Sequence, residues 1–456
     1  QLMQFFSRFI ILILTGLFIV STLDAQLPQI NPSTLVVPHK LLTLKNGLTV
    51  ILHQDRSVPV VSGNIWYHVG SANEKAGRTG FAHLFEHLMF EGSANVPDGE
   101  FDALLEAAGG NNNGSTTTDR TNYYEDVPSN ALELALFLES DRMGHMLAAM
   151  SPARVDGQRE VVKNERRQNY ENRPYGMAFL ELNQALYPSN HPYSWPTIGH
   201  MPDLNAATYE DVVEFFKTYY VPNNATLVVA GDINLDDAEA LVLKWFSEIP
   251  KGNPVDRITV PTPRQTALKK TITDRVQLSR LYLAWLSPAA YKPGDAALDV
   301  AGMILASGKN SKLYRRLVYD KPIAQDVSAF QQSAALSGSF QIIATARPGI
   351  NVTDIKDIID EELNRLRQNP PEPREVQRAV NQIVASFYRQ MERVGGYRGK
   401  AEQLNAYYFA TGNPDYFAED LARYTALTPL DIQTAITKWL APDQRVEIIV
   451  KPEDVR

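Results

Sequence analysis

The two halves of the sequence end in the same pattern. Residues 220–232 (YVPNNATLVVAGD) and 440–452 (LAPDQRVEIIVKP) each indicate a helix end, a proline turn and a strand, 220 residues apart. Residues 250–263 carry four prolines, one glycine and little hydrophobic periodicity, which is typical of a linker. The repeat therefore predicts two tandem homologous domains, 26–249 and 266–456, joined by a linker at 250–265.

Strands and helices are mixed within each half. Asn46-Gly47 separates two alternating segments, 42–45 and 48–50, and predicts a β-hairpin. Residues 227–233 have the pattern of a buried strand, and a helix is predicted over 235–249. Because strict βαβ alternation is missing, the pattern favours an α+β fold, with a mostly antiparallel sheet in each domain and helices packed on one side of it.

Composition excludes several classes of function. The 456 residues include no cysteine, which excludes disulfides, thiolate catalysis and cysteine-ligated zinc, so a metal would need histidine and carboxylate ligands. The net charge is -8, from 44 basic and 52 acidic residues, and no dense basic block is present. Nucleic acid is therefore not an expected partner.

The first residues resemble a secretory signal. Arg8 precedes an apolar run of twelve residues, 9–20, and Ala25 offers a small residue for cleavage. The run is shorter than the roughly 20 residues that span a bilayer, so no stable membrane span is expected after cleavage. We therefore expect residues 1–25 to be a signal peptide and the protein to be exported, to the periplasm or the medium. The alternatives are an N-terminal membrane anchor and a buried helix.

The most specific motif is His83-Leu-Phe-Glu86-His87, the inverted zincin pattern H-x-x-E-H. On a helix the two histidines lie one turn apart on the same face, where both can bind one Zn²⁺. Glu86 lies close to that face and can carry a proton between a water and the leaving amine. The motif predicts a zinc metallopeptidase with Glu86 as general base. No histidine follows residue 200, so the second domain is expected to lack a metal site.

A catalytic zinc usually has three protein ligands, and the two histidines supply only two of them. Without cysteine, the third is expected to be a carboxylate on another element. Candidates on the predicted helix 152–171 are Glu160, Glu165 and Glu171. Spacing alone does not choose among them.

Further segments extend the motif into a family pattern. They are GSANE (70–74), GFAHLFEHLMFEG (80–92), GNNN (110–113), TNY (121–123) and VVKNERRQ (161–168). In this order they resemble the pitrilysin/insulinase family of zinc peptidases across residues 40–235, with a looser match in the second half. The length resembles the short members of that family, which include the β subunit of mitochondrial processing peptidase and bacterial relatives.

The resemblance implies roles for individual residues. It implies Glu165 as the third zinc ligand, because the family places that ligand some 75–80 residues after the second histidine. It also implies that an extended peptide substrate adds to the edge of the strand 113–117, with Asn113 and Gly114 nearest the metal. One departure concerns Gln158, where many members carry an acidic residue, so support of the ligands from that position is expected to be weakened.

The resemblance further implies that this chain is half of a clamshell. The facing half usually supplies an arginine and, seven residues later, a tyrosine that hold the substrate. At those positions this chain has Val318 and Gln325. We therefore expect a heterodimer with a homologous subunit that supplies the Arg/Tyr pair, and a zinc-dependent endopeptidase for extended or unfolded peptides. The alternative is a non-catalytic scaffold or assembly subunit of the same fold.

Overall fold

The computed structural model describes residues 35–261, 263 and 266–453. The predicted signal peptide, residues 1–25, lies outside the described residues. Within the described ranges, no helix is both long enough and apolar enough to cross a bilayer.

Two sheets form the centre of the molecule. The first has the strand order β1-β2-β6-β3-β5-β4 and the second β7-β11-β8-β10-β9. The strands are β1 Lys40–Thr43, β2 Thr49–Gln54, β3 Val60–Tyr67, β4 Asn111–Thr116, β5 Thr121–Pro128, β6 Ala225–Gly231, β7 Leu268–Asp274, β8 Arg280–Ser287, β9 Ala324–Gln332, β10 Gly338–Ala346 and β11 Val446–Pro452.

The two sheets have the same topology once β1 is set aside. In each, the last strand of the half (β6 or β11) lies between the first two, parallel to one and antiparallel to the other. All remaining pairs are antiparallel. The prediction of two homologous domains with mostly antiparallel sheets is confirmed. So is the hairpin at Asn46-Gly47, where Gly47 has φ 91° and the Asn46 amide donates to the carbonyl of Phe246 (2.8 Å).

Helices surround the sheets. They are α1 Phe81–Leu88, α2 Glu100–Ala107, α3 Leu132–Ala149, α4 Pro152–Arg166, α5 Gly176–Leu186, α6 Met201–Ala206, α7 Tyr209–Tyr219, α8 Leu235–Phe246, α9 Asp295–Ala306, α10 Lys312–Tyr314, α11 Val352–Gln368, α12 Pro373–Met391, α13 Lys400–Thr411, α14 Phe417–Thr425 and α15 Pro429–Trp439. A π-helical turn continues α4 over Arg167–Glu171, and another continues α10 over Arg315–Asp320.

One face of each sheet packs against helices of its own half. The opposite face is covered by a helix from the other half. Side chains alternate along β2, so Val50 and Leu52 face the core formed with the helices of their own half. Ile51, between them, packs into a separate core with Leu404 of α13. The prediction of helices on only one side of each sheet is therefore incomplete.

The second sheet shows the reciprocal arrangement. Leu281 and Leu283 of β8 face the helices of the second half, whereas Tyr282 packs with Ala178 and Leu182 of α5, which belongs to the first half. The halves therefore exchange one helix each. The exchange explains why the central strands are apolar at consecutive positions, because both of their faces are buried.

An ion pair between the two halves gives the fold a testable pH dependence. Asp55 pairs with Lys400 of α13, and both side chains are largely buried. Although burial alone raises the pKa of Asp55, the Lys400 ammonium and hydrogen bonds from Ser57 together outweigh it and hold the pKa at about 2, below the ordinary 3.8. The carboxylate therefore stabilises the fold above pH 3.8, and that stability is lost as the pH falls through about 2.

We expect Asp55→Asn to lower the free energy of unfolding by about 2 kcal/mol at pH 7. The difference from wild type should shrink between pH 5 and pH 3, as measured by urea unfolding. Glu214→Gln serves as control, because its ion pair with Lys75 is exposed and worth little. A constant difference across this pH range would contradict the linkage.

Candidate metal centre

Helix α1 carries the H-x-x-E-H motif and is firmly anchored at its start. Gly80, with φ 91°, precedes the helix. The buried carboxylate of Glu74 accepts hydrogen bonds from the backbone nitrogens of Gly80 (3.0 Å) and Ala82 (2.9 Å). A carboxylate is favourable at a helix N-terminus. Since Leu84 and Phe85 are buried on the opposite face, the histidines lie on the side of α1 that faces α4.

Three side chains that could hold a metal ion meet between α1 and α4. Oε2 of Glu165 lies 3.5 Å from Nε2 of His83 and 3.3 Å from Nε2 of His87. One ligand atom from each of the three lies within 4.8 Å of the others. The other two candidates are engaged elsewhere: Glu160 pairs with Lys163 and Glu171 with Arg166.

This group fits a zinc ion. Two ligand atoms about 2.1 Å from one ion at a tetrahedral angle are separated by roughly 3.4 Å, which is close to the observed spacings. Burial lowers the pKa of His83 to about 4, so its imidazole is neutral near pH 7 and its nitrogen can bind a metal. The hydrogen bond from His87 lowers the pKa of Glu165, which keeps its carboxylate ionised.

Glu86 is held from the neighbouring sheet. The hydroxyl of Thr116, the last residue of β4, donates to Oε2 of Glu86 at 2.5 Å. Burial raises the pKa of Glu86, and the Thr116 hydrogen bond opposes that shift. A carboxylate with a raised pKa is better suited to carry a proton near pH 7. Sequence reasoning missed Thr116, although its place at the end of the predicted substrate strand could have indicated it.

The strand beside Glu86 is an edge strand. β4 spans Asn111–Thr116 and, among the described strands, pairs only with β5, with Asn113 opposite Tyr124 and Gly114 opposite Tyr123. Its other side exposes backbone groups that can pair with a further strand. The sequence prediction placed this strand at 113–117, so the described strand begins and ends slightly earlier.

At Gly114 there is little room for a side chain between this strand and Glu86. A methyl group at Gly114 would lie 3.2 Å from Cγ of Glu86, 3.2 Å from the Tyr123 ring and 3.3 Å from the Phe90 ring. These distances are shorter than ordinary van der Waals contacts, so the neighbours would have to move.

We expect Gly114→Ala to leave metal binding unchanged and to lower kcat/KM for a peptide by about tenfold, because it displaces Glu86 or the strand. Steady-state kinetics and metal analysis check this result. Gly157→Ala on α4 is the matched control, since its methyl group meets no atom within 4 Å. Equal kinetics for the two variants would show that the close approach is not needed.

Gln158 stands where many family members carry an acidic residue, and its side chain has a different partner from the metal-binding group. Its Nε2 donates to Oε1 of Glu91 (2.5 Å), so it connects α4 to the residues that follow α1. The buried Nδ1 of His83 has no hydrogen-bond partner within the described part of the chain. Metal-binding histidines usually donate this second nitrogen to a carboxylate or carbonyl. Nδ1 of His83 lacks such a partner among the described residues, and the contact between Gln158 and Glu91 is one that sequence reasoning missed.

The second half fixes the hairpin that carries β4. Asp119, between β4 and β5, accepts from the backbone nitrogen of Ala335 (2.8 Å) and from the hydroxyl of Tyr193. Arg120 donates to the carbonyl of Ser115 (2.7 Å) and lies 3.5 Å from Glu402 of α13. The second half therefore helps to position the strand beside Glu86.

The chain matches known proteins along most of its length. Residues 49–198 match the family model described as insulinase, peptidase family M16, and residues 206–383 match the model described as the peptidase M16 inactive domain. The zinc protease PqqE of Helicobacter pylori is 28% identical over 422 residues, covering 91% of this chain and 93% of that protein.

Solved structures give the same result for the fold. The crystal structure of a protease from Helicobacter pylori has a TM-score of 0.83 at 28% identity and covers 91% of this chain and 100% of that chain. The periplasmic protease PqqL from Escherichia coli has a TM-score of 0.75 at 18% identity; 92% of this chain is covered, but only 49% of PqqL. The likeness to PqqL concerns the fold alone. This fold accounts for about half of the PqqL chain. Both sets of matches agree with the motif and the sheet topology: the chain belongs to the insulinase (M16) family of metallopeptidases, in its short two-domain form.

Proposed function

We propose that this protein is a zinc-dependent endopeptidase that hydrolyses extended or unfolded peptides. The observation that supports this best is the meeting of His83, His87 and Glu165 around one point, with Glu86 one residue before His87 and beside an open sheet edge. A scaffold has no need for a complete ligand set next to a general base. Metal storage does not explain Glu86.

The roles of the residues follow from their chemistry. His83, His87 and Glu165 would hold Zn²⁺, which when bound polarises a carbonyl and lowers the pKa of a water toward about 7. Glu86 accepts the proton of the attacking water and donates it to the leaving amine. Thr116 holds one oxygen of Glu86, so the carboxylate keeps its orientation during this transfer.

The edge of β4 supplies the binding site for the peptide. A substrate strand that pairs with β4 at Asn113 and Gly114 would lie next to Glu86, because a methyl group at Gly114 would lie only 3.2 Å from Cγ of that side chain. Main-chain hydrogen bonds hold many sequences alike but require an extended backbone. Unstructured peptides are therefore the expected substrates, and folded proteins should be spared.

The activity is tested on the purified chain. About one Zn²⁺ per chain is expected by metal analysis, together with hydrolysis of an unstructured peptide that stops with a chelator and returns with Zn²⁺. A protein that binds zinc but cuts no peptide, alone or with a homologous subunit, would favour the scaffold role.

We also propose that the protein is exported. The proposal rests on the signal pattern of residues 1–25. Fractionation and N-terminal sequencing of the mature protein test it. Cytoplasmic protein that retains residues 1–25 would contradict it.

A further inference from the structure

A cavity of about 500 Å³ opens next to the metal centre. It lies between the π-helical turn that continues α4, the start of α5 and the second sheet. The residues of its wall that matter here are Asn169, Tyr170, Arg173, Arg280, Gln332 and Gln341. It is therefore lined by both halves of the chain.

The cavity is one side chain away from the metal-binding group. Nδ2 of Asn169, in its wall, donates to Oε1 of Glu165 at 3.2 Å. Oε2 of the same carboxylate faces the two histidines. A peptide bound at the metal centre would thus have a neighbouring residue within reach of this cavity.

The wall carries positive charge only. It includes Arg173 and Arg280 but no aspartate, glutamate or lysine, in a chain with net charge -8. Among the described residues, neither guanidinium has a carboxylate partner within 4.0 Å. Unpaired arginines beside a cavity favour a carboxylate ligand, which they can bind through two parallel hydrogen bonds.

Arg280 is held in place by its neighbours. Its guanidinium lies 3.6 Å from the centre of the Tyr175 ring, and its Nε donates to Oγ1 of Thr345 at 2.9 Å. Asp326 reaches it only indirectly, by accepting from Thr345 at 3.0 Å. Asp274 is occupied by the backbone nitrogen of Tyr175. A guanidinium fixed in this way loses little conformational entropy when a ligand binds.

A buried acceptor adds a second feature. Gln341 is 2% exposed, and its Nε2 donates to Oε1 of Gln332 (3.2 Å) and to Oγ of Ser339 (3.1 Å). Its own Oε1 is buried and accepts no hydrogen bond from any described residue. Buried acceptors are normally satisfied, so this oxygen is available to a backbone N–H of a bound peptide.

We propose that this cavity is a subsite for a carboxylate of the peptide substrate, with Arg173 and Arg280 as specificity-determining residues. The proposal rests on the proposed peptidase function and adds to it a preference for acidic peptides. The carboxylate can belong to an aspartate or glutamate near the scissile bond or to the C-terminus of a short peptide.

Peptide binding is measured on the zinc-loaded Glu86→Gln protein, so the result does not depend on hydrolysis. One arm uses fluorescent host peptides in which Glu replaces Gln at each position in turn, and the other compares a free with an amidated C-terminus. At one position, or at the free C-terminus, we expect about tenfold tighter binding of the charged peptide. Adding Arg173→Glu should abolish or invert that preference and leave the affinity for the neutral peptide within about twofold.

Arg389→Glu, an equal charge change on the exposed face of α12, is the control and should preserve the preference. Circular dichroism and zinc content check that the variants fold. If Arg173→Glu does not fold, Arg280→Gln is used in its place. Equal binding of charged and neutral peptides in both arms overturns the subsite and leaves the peptidase proposal standing. Absence of peptide binding and of hydrolysis by the parent chain overturns both.

Discussion

Glu86→Gln is expected to keep about one Zn²⁺ per chain and to lower the rate of peptide hydrolysis by about 10²–10⁴-fold. The amide cannot accept and return a proton, whereas His83, His87 and Glu165 are unchanged. Metal analysis and single-turnover assays on the same preparation measure the two properties separately. This variant therefore distinguishes a base from a metal ligand.

Two substitutions on α4 complete the comparison. Glu165→Gln should weaken zinc binding, because it removes the carboxylate nearest both histidines. Glu160→Gln should change neither zinc content nor rate, since Glu160 is exposed and paired with Lys163. Full turnover in Glu86→Gln would refute its role, and full zinc occupancy in Glu165→Gln would mean that another group completes the site.

The second large effect concerns a partner subunit. We expect the isolated chain to be a very slow enzyme, and a homologous subunit with the Arg/Tyr pair to raise its rate by on the order of 10²–10³. Each donor of the pair would stabilise charge that develops on the substrate carbonyl. In this chain Val318 instead packs against the core of the second half, which contains Leu281 and Leu283, and Gln325 is exposed on β9.

Two nearby arginines already lie in ion pairs within this chain. Arg316 is bound to Glu361 (2.6 Å) and Glu362 (3.2 Å), and Arg315 lies 3.5 Å from Asp320. The assay compares the chain alone, the chain with its partner, and the chain with a partner in which the arginine is replaced by alanine. Full activity of the isolated chain, unchanged by the partner, would contradict the proposal that the chain needs a second subunit for activity.

The sequence predicted the two-domain fold because the repeat and the hairpin are local patterns. It did not predict the exchange of α5 and α13. The consecutive apolar residues Val228, Val229 and Ala230 indicate that both faces of β6 are buried, but periodicity does not say which helix covers each face. That choice depends on contacts between residues far apart in the chain, such as Ile51 with Leu404.

The residues of the candidate site were also predictable only in part. His83, Glu86 and His87 could be found from a single motif, since their spacing on one helix carries the chemistry. Glu165 lies on another element, and only the family resemblance selected it from three glutamates. Glu74 and Thr116 act through contacts with α1 that depend on the fold, so the motif on that helix did not indicate their roles.

The exchanged helices also affect how the chain can be made. The first sheet is complete once β6 has been synthesised, but the face that contains Ile51 stays uncovered until α13 begins at Lys400, about 170 residues later. At roughly 5–20 residues per second, this apolar surface is exposed on the nascent chain for on the order of 10–30 s. We therefore expect a fragment that ends inside the linker to expose an apolar sheet face and to aggregate, rather than to behave as a finished domain.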